Sequence, residues 1–164
     1  VNSYSIYAIG PTVEKLYGPA KFFLIYIIAG IVGNVASFVF SPSLSVGASG
    51  AIFGLLGALL CMGLKHRELF RRTIGRDVII TIVFNIAYGF SRSGIDNYAH
   101  IGGLVGGFLA AWAVGLFGEK GISRVKIVSW AAIVLLIAGG IYVGFHMPAN
   151  IELKMIYDYY IKSN

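Results

Sequence analysis

The length of its apolar runs limits this chain more than any other feature. Five blocks, residues 22–40, 49–64, 78–90, 98–118 and 127–145, carry almost no charge, and a sixth, partial block runs from Val1 to about Ile9. Runs of this kind are read as membrane-crossing helices. Composition agrees: 57% of residues are hydrophobic, 12% are charged and the mean hydropathy is +0.80. A water-soluble domain of 164 residues needs far more charge to cover its surface. A cleaved secretory leader would supply one short apolar run near the start, not a series along the whole chain. The expected fold is therefore an all-α polytopic membrane bundle with five full spanning helices and one partial N-terminal helix.

The partial block has no methionine before it and is too short to span. The expectation is that the chain begins inside a helix, with an earlier spanning helix missing. Cys61 is the single cysteine, which excludes an intrachain disulfide, and its apolar surroundings give it a packing role.

A net charge of +6 invites a nucleic-acid reading, but the placement of the charges argues against it. Ten of the thirteen basic residues fall in three clusters: Lys15 and Lys21; Lys65, Arg67, Arg71, Arg72 and Arg76; and Lys120, Arg124 and Lys126. The clusters occupy alternate connections, the pattern of positive-inside topology. Taking them as cytoplasmic, residues 41–48 form an external loop, the 49–64 helix runs inward and the 98–118 helix also runs inward. The tail, 147–164, is then external and mixes Ile151, Ile156 and Tyr160 with Glu152, Lys154 and Asp158. It reads either as an amphipathic helix or as the start of another domain.

The block 49–64 is about 24 Å long at roughly 1.5 Å per residue, short of a hydrocarbon core of about 30 Å. A helix that short, starting at Ser49, puts the serine below the outer surface. The preceding loop must then dip inward, which is tolerated where it lines a cavity or is buried in protein. In the segment Gly47-Ala48-Ser49-Gly50-Ala51-Ile52-Phe53-Gly54, Gly47 and Gly50 allow a sharp turn and a close backbone approach. Free N–H groups at the helix start favour an anion such as a tetrahedral intermediate. Taken alone, the segment equally permits Ser49 to be a helix cap with packing glycines around it.

His100 shifts that balance. Spacings of three and seven place His100, Gly103 and Gly107 on one helix face. Gly103 and Gly107 form one GxxxG pair and Gly50 and Gly54 another, so the two helices can pack closely with Ser49 and His100 at similar depth. An intramembrane histidine is a functional candidate by default. The apolar blocks contain no aspartate and no lysine, and the chain has no HExxH, which removes paired-aspartate, serine–lysine and the usual zinc-protease arrangements. Asp96, four residues before His100, is expected to cap the helix or face water, leaving a serine–histidine dyad.

Together, Gly47-Ala48-Ser49-Gly50 and Ala99-His100-Ile101-Gly102-Gly103 with Gly107 resemble the two signature motifs of the rhomboid proteases. Asn2, Gly10, Val13-Glu14-Lys15 and Gly18 resemble the second spanning helix of that family and its cytoplasmic exit. The likeness covers roughly residues 1–118, and the helix at 127–145 matches the bacterial branch with an additional helix after the histidine helix. The resemblance implies a protease core at 1–118, a cytoplasmic loop and added helix at 119–146, and the tail at 147–164. It also implies Ser49 as nucleophile, His100 as general base, Asn2 as an oxyanion donor beside the Ser49 N–H, and Phe53 as the ring under the imidazole. Many rhomboids have tyrosine at that position. The implied partners are transmembrane protein substrates and the lipid bilayer, with cleavage near the outer face of the cell membrane and no metal or organic cofactor. The rival expectation is a non-catalytic rhomboid-like protein that binds transmembrane clients. Because the family's first helix and an upstream histidine are absent, the isolated chain is expected to be inactive.

Overall fold

The apolar blocks are helices in the computed structural model, which describes residues 2–41, 48–92, 94–146 and 159. In chain order they are α1 (Asn2–Tyr17), α2 (Pro19–Phe40), α3 (Ser49–Lys65), α4 (Arg67–Thr73), α5 (Gly75–Phe90), α6 (Asn97–Val114) and α7 (Arg124–His146), and no strand occurs among the described residues. With 22 and 23 residues, α2 and α7 are each long and apolar enough to cross a membrane unaided. Helices α3, α5 and α6 are shorter, at 17, 16 and 18 residues.

The centre of the bundle is built from small residues. On α2, Ala29, Gly33 and Ser37 recur every fourth position; so do Gly50 and Gly54 on α3, and Ala99, Gly103 and Gly107 on α6. These rows face one another. A methyl group added at Gly103 would meet the Gly50 carbonyl, and one at Gly107 the Gly54 carbonyl. At Gly33 it would lie 2.8 Å from the Ala99 oxygen, and at Gly54 it would strike the Ala29 methyl. The two expected GxxxG pairs therefore do oppose each other, with α2 as a third member of the contact. Helix α3 sits innermost, with 13 of its 17 residues buried, which explains why it tolerates less than a full membrane-spanning length.

The other helices surround this trio. Helix α1 buries Gly10, Val13 and Tyr17, and the Tyr17 hydroxyl donates to the Ala58 carbonyl at 2.8 Å. The partial block expected to end near Ile9 continues as helix to Tyr17, through Pro11, because its second half still has an apolar face to bury despite Glu14 and Lys15. Gly18, at φ 85°, makes the turn into α2, where Pro19 suits the first helical position. Cys61 is buried, as a packing residue should be.

Two connections differ from the sequence reading. Residues 67–73, read as a basic loop, form α4, bent by 72° against α5. Glu68 pairs with Arg71 and Arg72 at helical spacing, and Phe70 wedges against Gly63 and Gly75. Helix α6 stops at Val114, four residues before the expected end, where Gly115 takes φ 69°. The loop expected to dip before α3 lies outside the described residues at 42–47, as does the tail apart from Tyr159.

The lysines at the basic end make specific contacts. Lys21 Nζ donates to the Gly115 and Leu116 carbonyls at 3.0 and 2.7 Å, tying down the chain as it leaves α6. Glu119 accepts from Lys65 at 2.9 Å and from the Leu116 N–H at 3.0 Å, and lies 3.4 Å from Lys126. This clasp joins the ends of α2, α3, α6 and α7. The Lys65 hydrogen bond, helped by the Leu116 N–H and Lys126 against the opposing effect of partial burial, holds the Glu119 carboxyl down at about 2.

Two predictions follow from this packing. Gly107→Ala should lower folding stability by about 1–3 kcal/mol, the usual cost of overpacking. Gly139→Ala, where the added methyl meets nothing, should be neutral or slightly stabilising; thermal unfolding in detergent distinguishes the two. A carboxyl depressed in the folded state adds stability above its unfolded value of 4.5, and that stability is lost as pH falls through about 2. The thermal midpoint of Glu119→Gln should therefore lie below that of the parent at pH 7, with the gap closing between about pH 4.5 and 2. A gap independent of pH would mean that the charge is not what matters.

Candidate active site

Ser49 is the first residue of α3, and its position is set from below by the glycine contact. The residue in the capping position is Ala48, and no side chain caps the helix. Ser49 is thus inside the helix and not its cap. On the facing helix, His100 is buried, 8% exposed, and its ring lies flat on Phe53 with centroids 4.2 Å apart and planes inclined by 10°. Phe53 follows Ser49 by four residues and so shares its helix face. The adjoining positions also touch: a methyl on Gly50 would sit 3.0 Å from the Ala99 carbonyl oxygen. Serine and histidine are therefore carried on directly apposed turns of α3 and α6, half-buried and buried respectively.

Asp96 is committed elsewhere. One carboxylate oxygen accepts from the Ala99 N–H at 3.0 Å, capping α6, and the other accepts a short hydrogen bond from the Ser37 hydroxyl of α2. The His100 Nδ1 atom is buried without a hydrogen-bond partner among the described residues. Among the described residues no carboxylate is hydrogen-bonded to the imidazole Nδ1. Its orientation comes instead from the Phe53 ring and from the anchored start of α6.

The remaining expected residues are distributed as follows. Gly50, Gly54, Gly103 and Gly107 form the α3–α6 contact. Asn2 opens α1 and is exposed, and no hydrogen bond ties it to Ser49 or His100 among the described residues. Gly47 lies outside the described residues. Two contributors were not anticipated. Ser37 ties α2 to the start of α6, and buried Asn97 donates from Nδ2 to the Ile86 carbonyl at 3.1 Å, tying α5 to the same point. The sequence signal for the first was present: Ala29, Gly33 and Ser37 form a small-residue row at four-residue spacing within a spanning block.

An unprotonated imidazole beside a serine at the start of a buried helix can take the hydroxyl proton and turn the oxygen into a nucleophile. The first-turn N–H groups of α3 supply a positive field for the oxyanion that attack generates.

The anchoring of α6 can be tested separately from chemistry. Asp96→Ala removes the cap and the Ser37 partner together and should cost about 1–2 kcal/mol in thermal stability. Asp96→Asn, which keeps an oxygen for the Ala99 N–H, should cost less. Equal losses would mean that the cap does not carry the effect.

The chain is similar in sequence to known proteins. The family model described as the Rhomboid domain matches residues 1–117. Rhomboid protease GluP of Bacillus subtilis is 48% identical over 155 residues, covering 94% of this chain and 30% of its own. Putative rhomboid protease YdcA of the same organism is 41% identical over 113 residues, covering 68% of this chain and 57% of its own. RHOMBOID-like protein 1 of Arabidopsis thaliana is 38% identical over 111 residues, covering 66% of this chain and 28% of its own. The chain thus spans between about a third and somewhat over half the length of the two bacterial relatives.

Proposed function

Since the chain belongs to the rhomboid family, we propose that it is the membrane core of a serine endopeptidase that uses Ser49 and His100 as a catalytic dyad. The observation that carries this reading is the stack of His100 on Phe53, one turn beyond Ser49, where α3 and α6 approach along bare glycines. Such an approach costs two helices their side chains, and the histidine it buries has no hydrogen bond at Nδ1 among the described residues to account for it.

In the proposed mechanism His100 accepts the Ser49 proton as Oγ bonds to a substrate peptide carbonyl. The oxyanion is held by backbone N–H groups at the start of α3 and by Asn2, brought in when substrate is bound. The intermediate collapses as His100 returns the proton to the leaving amine, and water then hydrolyses the acyl-enzyme by the reverse sequence. The stacked ring holds the imidazole through these proton transfers without needing a third acid. Substrates are transmembrane segments of other membrane proteins. Alternating basic connections support a cytoplasmic placement of the Lys21–Glu119–Lys126 end, and in this reading the dyad works towards the extracytoplasmic side. Residues 1–118 are the protease core, with 119–146 a loop and added helix.

The test uses the full-length protein. A serine-directed fluorophosphonate should label it in detergent, and Ser49→Ala should remove the label with the thermal midpoint kept. Ser49→Ala and His100→Ala should each lower cleavage of a transmembrane substrate by at least about 10³-fold, and Asn2→Ala by about 10²–10³-fold. A folded protein that takes no label and retains its transmembrane client uncut would instead be a binding member of the family. Turnover surviving in either dyad variant would overturn the assignment.

A further inference from the structure

A cleft of about 510 Å³ lies between the basic ends of α2, α6 and α7, well away from the dyad. Its polar groups are Lys21, Lys126 and Glu119; the rest of its wall is largely apolar, including Val114, Ile122, Ile127 and Trp130. Glu119 is already held by Lys65 and the Leu116 N–H, and Lys126 is its second ammonium partner; with Lys21 also lining the cleft, one carboxylate stands against three lysines and the local charge is positive. Lys21 spends two donors on the Gly115 and Leu116 carbonyls, and an ammonium has three. Lys126 bonds the Gly121 carbonyl at 2.9 Å and lies at the longer distance of 3.4 Å from Glu119. The first turn of α7, a helix of 23 residues, also opens at this point and adds its positive end.

From this combination we propose that the cleft binds an anionic glycerophospholipid of the phosphatidylglycerol class, from the leaflet that the basic end of the bundle meets. The phosphodiester sits between Lys21 and Lys126. One acyl chain runs along Ile127 and Trp130, both exposed on α7 at 58% and 39%. A free phosphate would satisfy the lysines but leave that apolar wall wet. A neutral lipid would cover the wall but leave the ammonium groups without a counter-charge. Basic pockets between spanning helices are recognised places for acidic headgroups. The lipid has a structural task here, because α7 buries only Ser129, Ile133 and Gly144 against its neighbours. A headgroup bonded to both α2 and α7 would fasten a helix that packing holds weakly.

Native mass spectrometry of the full-length protein, incubated with equal amounts of phosphatidylglycerol and phosphatidylcholine of matched chains, tests this. The protein should retain phosphatidylglycerol with about tenfold preference. The preference should fall to near parity in Lys21→Gln/Lys126→Gln and persist in Lys120→Gln, an exposed lysine of the same loop outside the cleft. If the double variant does not fold, Lys126→Gln alone should reduce the preference by about threefold. No preference in the parent, an unchanged preference in Lys126→Gln, or an equal loss in Lys120→Gln would overturn the proposal. So would displacement of the lipid by millimolar inorganic phosphate, which would assign the lysines to a free anion.

Discussion

The structure depends on how closely the backbones of α2, α3 and α6 approach. In lipid there is no hydrophobic drive between helices, because acyl chains are as apolar as leucine. Association must come from van der Waals contact and interhelical polar links, and both need short distances. Here the distance is set by hydrogen atoms where other residues have Cβ atoms. Gly103 and Gly107 rest on the carbonyls of Gly50 and Gly54, while Gly33 rests on the carbonyl of Ala99. No larger side chain fits at these points without moving a backbone. Ser49 and His100 are each adjacent to a member of this contact, so the same close approach that holds the bundle together fixes the relative depth of these two side chains.

Around that trio the two ends of the bundle are fastened by different means. At the serine–histidine end, Ser37, Asp96 and the Ala99 N–H form a short polar chain from α2 to the start of α6, and Asn97 reaches from α6 to the Ile86 carbonyl of α5. These are neutral or singly charged links close to the buried imidazole. At the other end the links are ionic or charge-assisted and surround the stop of α6: Lys21 on the Gly115 and Leu116 carbonyls just beyond it, and Glu119 between Lys65 and Lys126. Water is available there to solvate ammonium groups, so the charges cost less than they would at the level of the dyad. The peripheral helices receive fewer of these ties. Helix α7 leans on α2 mainly through Gly140 against Val35 and Gly144 against Phe38, and presents most of its surface outward.

The residues proposed to carry the chemistry can be picked out in the chain. Long uncharged blocks admit few solvents, glycines at four-residue spacing admit few packings, and a histidine in such a block needs a reason. Those facts identified Ser49, His100, their helices and the two glycine pairs, together with Phe53 through the family pattern. The third row of small residues, Ala29, Gly33 and Ser37, follows the same rule, but on α2 nothing in the sequence marks which helix it faces. The extent of α1 and the existence of α4 were not legible from hydropathy. Glu14, Lys15 and the arginines of 67–73 lower the apolar signal, while what keeps those segments helical is Val13, Tyr17 and Phe70 packing against residues distant in sequence.

The amino-acid sequence by itself determined the apolar environment, the helical blocks, the alternation of basic connections and the choice of Ser49 and His100 as the proposed dyad. All of these follow from side-chain solvation and from spacing along one helix, quantities that are local in the chain. Tertiary structure alone decided that Phe53 lies flat under His100, that Asp96 serves Ser37 and the Ala99 N–H and not the imidazole, and that Glu119 gathers lysines from two other helices. It also decided that α6 ends at Val114. Each of these is a choice among partners that the sequence leaves equally available. Only the relative positions of packed helices select one partner over another, since a hydrogen bond or a ring stack is lost within an ångström or so of displacement.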